Sequence, residues 1–369
     1  MKPYNDKKIA LAHDFLTVWG GAERVFRVMT EMYPEAPIYT LYYDADFVQR
    51  YFPGRTVRTS FLQRWPKRLR ESSFGRLFYP VAVETLDLRD FDTVLSSSGA
   101  WMKGLVTRLH TRHIAYLHSP MRYVWDTTHE HPGLTQGFHF FKRMMLTYLR
   151  LWDKEAADRP DLLLVNSRYT LQRVKKYYRR GESQVVYPPL LFSEKNLDSQ
   201  DRSQYPFLVV ARLTASKHID VIIEAFNKLG LPLCIVGDGP DRQRLQSLAK
   251  NKVTFLGMVS DERLSEIYSQ SRALVQASEE DFGLAVLEAQ SFGVPVIAFQ
   301  GGAIEEIVTA GKTGEVFVGL VPETVADGVR RSIAHERAYD FSVFERERFS
   351  RDRFESMIRT VVDQSDEEV

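Results

Sequence analysis

Cysteine is nearly absent from this chain. One such residue, Cys234, stands in 369, which excludes an internal disulfide and any thiolate metal cluster. Long apolar runs are missing as well. No stretch approaches the roughly 18 residues that cross a bilayer. The apolar segment 9–16 is broken by His13 and Asp14, so it reads as a buried first strand and not as the core of a secretory leader. There is no short-period repeat and no low-complexity tract. These absences lead to the expectation of a cytoplasmic protein with no nucleic-acid partner. What remains is ordinary globular composition, 44% hydrophobic and 26% charged, at a length that favours two domains.

The net charge of +1 conceals a polarity. Residues 1–190 carry 29 Lys and Arg against 19 Asp and Glu, and the remainder carries 20 against 29. A basic first half and an acidic second half fit either of two arrangements: halves that meet different partners, or halves that complement each other across a cleft.

Short apolar runs alternate with segments of helical period. Candidate strands begin near Ile9, Pro37, Thr93, Ile114 and Leu162, with helix-length stretches between several of them. In segment 141–157, Phe141, Met144, Met145, Tyr148, Trp152 and Ala156 recur at helical spacing. The pattern restarts after Pro206, with strands expected near Phe207, Leu233, Val253, Ala273, Val294 and Glu315 and helices between them, one of them over 304–308. Such alternation predicts α/β architecture with parallel sheets. The expected layout is a first Rossmann-like domain at 1–190, a linker at 191–205 and a second domain at 206–345. A final helical stretch, 346–369, is expected to pack back on the first domain through Phe349, Phe354, Ile358 and Val361. In doubly wound sheets, ligands bind beyond the carboxyl ends of the strands, so the loops after the strands are the places to search.

Three familiar motifs nearly occur and fail. Gly237-Asp238-Gly239 opens a dinucleotide fingerprint whose third glycine is Arg242. Gly311-Lys312-Thr313 closes a phosphate loop whose first glycine is Glu306. Asp44 and Asp46 have the spacing of a metal-binding carboxylate pair but read better as a solvated turn. The strongest signal is the segment 279–296, which follows a strand, turns at Gly283 and enters a helix bearing Glu288. Unpaired amides at a helix start bind phosphate oxygens, helped by the helix dipole. Carboxylates on either side of such a site, Glu280 and Glu288, suit a sugar nucleotide, whose hydroxyls donate hydrogen bonds around a diphosphate.

On these residues the chain resembles the family 4 retaining glycosyltransferases of the GT-B fold, two Rossmann-like domains facing across a cleft. The family's acidic motif has two glutamates separated by seven residues, as here, though Asp281 stands where glycine is common. The resemblance implies that Glu288 binds the nucleotide ribose and Glu280 lies by the transferred sugar. The amides of Phe282, Gly283 and Leu284 would hold sugar or diphosphate. Arg212 and Lys217 match the family's cation pair, which offsets charge on the leaving diphosphate. Met258 and Val259 match a segment whose backbone meets the base. In the first half, Gly20-Gly21 matches a glycine pair opposite the diphosphate, and His118, in His118-Ser119-Pro120, matches a histidine that points at the donor sugar. The continuation Arg122-Tyr123-Val124-Trp125-Asp126 resembles bacterial polysaccharide members that use GDP-mannose or related donors.

The expected function is therefore metal-independent, cofactor-free transfer of a hexosyl unit, such as mannosyl, from a GDP- or UDP-sugar to a glycan or lipid-linked acceptor. The donor phosphate itself would take the acceptor proton. Two alternatives stay open: an epimerase or hydrolase of the same fold, and a non-catalytic sugar-nucleotide-binding partner of an assembly complex. From Arg55 to Arg76 seven basic residues (Arg55, Arg58, Arg64, Lys67, Arg68, Arg70 and Arg76) interleave with Phe61, Leu62, Trp65, Leu69 and Phe74. That pattern fits a peripheral segment on an anionic membrane surface, such as the inner face of a plasma membrane. A solvated basic face over core aromatics fits it equally.

Overall fold

The computed structural model describes residues 7–126, 136–191 and 202–364. The expected linker at 191–205 lies largely outside them. The chain divides into two compact units: Met1–Pro188 with Asp352–Val369, and Pro189–Arg351.

In the first unit the strands are β1 (Ile9–His13), β2 (Ile38–Thr40), β3 (Val57–Thr59), β4 (Thr93–Ser98), β5 (Arg112–Leu117), β6 (Leu162–Val165) and β7 (Gln184–Val185). They form one sheet in the order β3-β2-β1-β4-β5-β6-β7, parallel at every pairing. Every residue of β4 and β5 is buried, as expected when helices cover both faces. The helices are α1 (Gly21–Met32), α2 (Ala45–Tyr51), α3 (Lys67–Arg70), α4 (Tyr79–Glu84), α5 (Arg122–Trp125), α6 (Gln136–Ala157) and α7 (Arg168–Tyr177).

Helix α6 covers the expected helical stretch 141–157, and the structure sorts its apolar residues. Met145, Leu149, Trp152 and Ala156 face the core, whereas Phe141, Met144 and Tyr148 are exposed. The apolar residues of 141–157 therefore belong to two faces of the helix. At its carboxyl half, Asp153 is fully buried and accepts from Lys103 Nζ (2.5 Å), Trp125 Nε1 (2.7 Å) and the Tyr178 hydroxyl (2.7 Å). A buried carboxylate with three donors is satisfied. With any one donor removed it would be costly.

The second unit holds β8 (Phe207–Val210), β9 (Leu233–Val236), β10 (Val253–Gly257), β11 (Leu274–Gln276), β12 (Val296–Phe299) and β13 (Gly314–Phe317). Their order is β10-β9-β8-β11-β12-β13, again all parallel. Helices α8 (Ile219–Leu229), α9 (Arg242–Leu248), α10 (Asp261–Ser269), α11 (Leu284–Ser291) and α12 (Pro322–His335) flank it. Segment 304–308, expected as a helix, is only a 3-10 turn at Ile304–Glu306.

The final helix, α13 (Arg351–Asp363), lies on the first unit. Phe354 meets the Tyr116 ring edge-on at 5.8 Å, and Arg112 donates to the carbonyls of Val361 (2.8 Å) and Gln364 (2.5 Å). Phe354, Ile358 and Val361 are buried, each stabilising that packing by about 1.5–3 kcal/mol. Phe349 does not share their stripe. It precedes the helix and packs in the second unit against Phe282 (6.0 Å) and Phe344 (6.0 Å).

Strand order reverses between β1 and β4 in the first sheet and between β8 and β11 in the second. Loops diverge at such a point, leaving a crevice at the carboxyl ends of those strands. In each unit this is where the sequence-predicted residues should be sought.

Candidate functional site

In the second unit, the loop after β8 carries Arg212 and Lys217, and the loop after β11 carries Glu280 and Gly283. These two strands flank the crossover. The Lys217 ammonium is ion-paired with the Glu280 carboxylate, whose Oε1 also accepts from the Ser278 hydroxyl at 2.8 Å. The Glu280 backbone bridges Gly302, and its carbonyl accepts from the Ala303 amide at 2.9 Å. Arg212 is exposed, and its guanidinium has no hydrogen-bond or ion-pair partner among the described residues.

The β8 loop is shaped by the glycine turn after β9. A Cβ at Gly237 would lie 1.9 Å from the Ala211 carbonyl oxygen, and Gly237 has φ 128°, so only glycine fits. Leu213 then donates to the Asp238 carbonyl (3.0 Å), and Asp241 donates back to Leu213 (3.1 Å). The near-miss dinucleotide motif is thus a brace for the cation loop. The Gly237 amide also donates to the Gly257 carbonyl at 2.8 Å, pinning the segment that presents Met258, exposed, and Val259, half-buried.

Gly283 opens α11 with φ 98°, the left-handed backbone that a side chain would strain. No side chain caps this helix. The amides of Gly283, Leu284 and Ala285 make no hydrogen bond among the described residues, as the start of an uncapped helix requires. Phe282 is buried and anchors the turn. One turn into α11, Glu288 is buried and accepts from the Tyr268 hydroxyl at 2.9 Å. Sequence reasoning missed Tyr268 and Ser278. A tyrosine on α10 carries no local sign that it orients a carboxylate 20 residues away.

In the first unit, Gly20 is the residue before α1, which also starts without a side-chain cap, and Gly21 is its first residue. His118 follows β5. Its Nε2 contacts the Ser97 hydroxyl at 2.8 Å, and its carbonyl accepts from Asn166 Nδ2 at 2.8 Å. Burial, with the nearby His13 adding to it, holds the His118 imidazole down to about 3, so the ring is neutral at ordinary pH.

Asp14, noted in the sequence only as a break in the first apolar segment, proves to be an organising residue. Its Oδ2 accepts from the amides of Gly99 (2.8 Å) and Ala100 (2.7 Å), and its Oδ1 from those of Trp101 (3.0 Å) and Met102 (2.7 Å) and from the Ser98 hydroxyl (3.3 Å). It ties the loop after β1 to the loop after β4. The segment after His118 is also anchored: Asp126 pairs with Arg173, and Trp125 donates to Asp153. Its conspicuous residues therefore have structural work independent of any donor.

Other sequence candidates resolve into scaffolding. Asp44 caps α2, accepting from the Phe47 amide at 3.1 Å. Among the described residues, no group of three or more His, Cys, Asp or Glu is placed to hold a metal ion. Gly311-Lys312-Thr313 forms a turn in which the Thr313 hydroxyl accepts from the Thr309 amide at 3.0 Å.

The Arg55–Arg76 segment is not one amphipathic element but β3, short turns and α3. Arg55 donates to carbonyls of Pro34, Tyr33 and Ala36 at the end of α1, and Arg58 donates to the Tyr39 hydroxyl. Arg70 lies over the Tyr42 ring at 4.4 Å and Arg76 over Tyr123 at 5.0 Å. Arg64, Lys67 and Arg68 remain exposed without partners among the described residues, beside exposed Leu69 and Phe74. Among the described residues no helix is long and apolar enough to cross a membrane.

The model of a family described as glycosyl transferases group 1 matches residues 194–348, and that of Glycosyltransferase Family 4 matches residues 19–190. A GDP-mannose-dependent alpha-mannosyltransferase of Mycobacterium tuberculosis is 36% identical over 130 residues, 35% of this chain and 34% of that protein. A sulfoquinovosyl transferase of Arabidopsis thaliana is 30% identical over 194 residues, 51% of this chain and 34% of that protein. A probable sucrose-phosphate synthase of Thermosipho melanesiensis is 29% identical over 176 residues, 40% of this chain and 42% of that protein. The chain thus spans 34–42% of the length of these relatives.

Among solved structures, sucrose-phosphate synthase from Thermosynechococcus elongatus aligns with TM-score 0.74 and 17% identity over 97% of this chain and 99% of that one. Anabaena HepE, solved in complex with UDP-glucose, aligns with TM-score 0.69 and 17% identity over 97% and 99%. At that identity these two show the fold alone. Through its family matches the chain belongs to the family 4 and group 1 glycosyltransferases, and its two parallel-sheet units are those of the GT-B fold.

Proposed function

We propose that this protein is a retaining hexosyltransferase that moves a sugar, with mannosyl the first to try, from a nucleoside diphosphate donor to a glycan or lipid-linked acceptor. One observation carries the reading. At the crossover of the second sheet, the Lys217–Glu280 pair and the cationic Arg212 loop flank the same switch point as the uncapped start of α11. Cations and free amides suit a diphosphate, and carboxylate oxygens suit hydroxyl donors.

In this reading the bond from the sugar's anomeric carbon to the diphosphate oxygen breaks, and the electron pair stays on the diphosphate. The acceptor hydroxyl attacks the same face, and its proton passes to a departing phosphate oxygen. Lys217, Arg212 and the amides of Gly283 and Leu284 offset the growing charge, so the step itself requires no metal. Glu280, already accepting from Lys217 and Ser278, keeps lone pairs for sugar hydroxyls. Glu288, oriented by Tyr268, is assigned to the ribose, Met258 and Val259 to the base, and His118 to the sugar. The names of relatives point to UDP- and GDP-sugars as the first donors to test. Arg64, Lys67, Arg68, Leu69 and Phe74 are proposed to touch an anionic membrane surface, each cation contributing roughly 1 kcal/mol.

The test is a thermal-shift screen of UDP-, GDP- and ADP-sugars, because a ligand bound only by the folded state raises its midpoint. Turnover of Lys217→Ala and Arg212→Ala with the selected donor follows. Each variant is expected to lose on the order of a hundredfold in turnover with little change in unfolding midpoint. Wild-type-like turnover in both would remove the leaving-group assignment.

A further inference from the structure

Helix α6 is apolar on two faces. Met145, Leu149, Trp152 and Ala156 bury one of them in the first unit. On the other, Phe140, Phe141, Met144, Tyr148 and Leu151 are each 44–68% exposed. At about 100° per residue these five fall within an arc of roughly 100° and run about 17 Å along the helix. A surface helix ordinarily turns charged and polar residues to solvent. Taking about 200 Å² for each aromatic side chain, the stripe exposes on the order of 500 Å² of apolar surface. Contiguous patches of that size mark interaction sites.

The charges beside the stripe decide what covers it. From Gln136 to Trp152 the helix carries Lys142, Arg143 and Arg150 but no Asp or Glu. Arg143 is exposed, and Arg150 is held at the edge of the stripe, donating to the Val124 carbonyl at 2.7 Å. Asp153 is buried, and the first exposed carboxylate is Glu155, one turn beyond Leu151 and 3.7 Å from the Lys154 ammonium. Cations beside aromatic and aliphatic groups on one helix face suit a bilayer interface, where basic groups meet anionic headgroups and apolar groups enter the acyl boundary. A second copy of this chain fits the stripe less well. A stable interface covers roughly 800 Å² on each partner, more than the stripe offers. Pairing about a twofold axis would also bring the same cations together along one seam.

We infer that α6 is the apolar half of a two-part attachment to an anionic membrane: its stripe enters the interface while the exposed cations of segment 64–74 meet the headgroups. The two parts adjoin through α5. That helix packs on α6, and its Tyr123 ring carries the Arg76 guanidinium at 5.0 Å, next along the chain from Phe74. The inference deepens the membrane contact proposed above for Arg64, Lys67 and Arg68. It rests on the proposed function only for its purpose, bringing the site to a lipid-linked acceptor. The division of labour has a physical consequence. Attraction between exposed cations and headgroups is screened by salt, whereas burial of apolar surface is not. Cations alone therefore hold the protein at low salt, and the stripe is what keeps it attached as salt rises.

The experiment places an environment-sensitive fluorophore on the full chain. Cys234→Ala removes the one native thiol. Met144→Cys or Leu151→Cys then labels the stripe, and Gln246→Cys, exposed on α9 of the second unit, serves as control. With phosphatidylglycerol vesicles both stripe labels are expected to shift to the blue while the control does not. In co-sedimentation, Met144→Ser combined with Leu151→Ser should keep the unfolding midpoint, because both side chains are exposed. It should bind these vesicles at low salt and lose about tenfold in partitioning at roughly physiological salt, where the wild type stays bound. Stripe labels that do not move while the wild type sediments with vesicles overturn the role of α6. A blue shift that needs no vesicles and grows with protein concentration overturns it in favour of a second copy. Equal shifts with phosphatidylcholine alone overturn the anionic assignment. Failure of every sugar nucleotide to bind or turn over would instead overturn the proposed function and leave the labels to judge the membrane contact by themselves.

Discussion

Asp14 supports the sharpest stability test. Its carboxylate accepts from four backbone amides on the loop after β4 and from the hydroxyl of Ser98 at the end of that strand. Asp14→Ala leaves those amides without an acceptor. Trp101 and Met102 are buried, so water cannot replace the carboxylate at their amides. An unsatisfied buried donor costs about 1–3 kcal/mol, so the two buried amides put the alanine variant at about 4 kcal/mol. Asp14→Asn keeps one oxygen but turns an NH2 group toward two amide donors, so about 3 kcal/mol is expected. For a unit of this size each kcal/mol moves the midpoint by about 2–4 °C, giving a drop on the order of 10 °C for either variant. Differential scanning calorimetry is the assay, because it resolves separate transitions if the two units unfold independently. The asparagine variant is the decisive one, being nearly isosteric. A midpoint within about 2 °C of wild type for Asp14→Asn would refute the claim that acceptor oxygens, and not shape, hold this loop.

Other outcomes follow from the same structure. Burial, with the Arg180 charge adding to it, lowers the fully buried His113 to about 3. Its ring therefore stays neutral in the fold while the unfolded chain takes up a proton. This contribution is complete above about pH 6.5 and is lost as pH falls from there toward 3, so urea titrations should show an acid-side decline that His113→Leu flattens. Activity is expected to persist in excess chelator. Complete loss, restored by magnesium or manganese, would contradict the metal-free step. Reversing Arg64, Lys67 and Arg68 to glutamate should abolish co-sedimentation with anionic vesicles at low salt and leave the unfolding midpoint unchanged. Equal and negligible binding of wild type to anionic and neutral vesicles would end the membrane proposal.

Much of this protein was legible in the chain alone. Parallel strands buried on both faces are largely apolar, so β1, β6 and most strands of the second sheet read directly as short apolar runs, while β4 and β5 showed only their apolar parts, Val94-Leu95 and Ile114–Leu117, beside buried polar residues. Strands β3 and β7 did not. They are two or three residues long and partly exposed, and nothing in Val57-Arg58-Thr59 distinguishes a strand from a loop. The loop chemistry was legible for a related reason. Residues 279–288 pack a strand end, a glycine turn, a helix start and two carboxylates into one continuous segment, so their relation is local. Lys217 and Glu280 are 63 residues apart, and only the β8–β11 crossover brings them into an ion pair. The same holds for Tyr268 with Glu288, for Asp14 with amides 85–88 residues along the chain, and for the contacts of the Ser97 hydroxyl with His13 and His118. That Phe141, Met144 and Tyr148 are exposed also needed the fold, because periodicity marks an apolar position without saying what covers it. Residue type and local spacing thus determined which elements form and which loops carry chemistry. Which side chains share a proton or a charge was decided by strand order, since contact between distant residues depends on which strands the sheet makes neighbours.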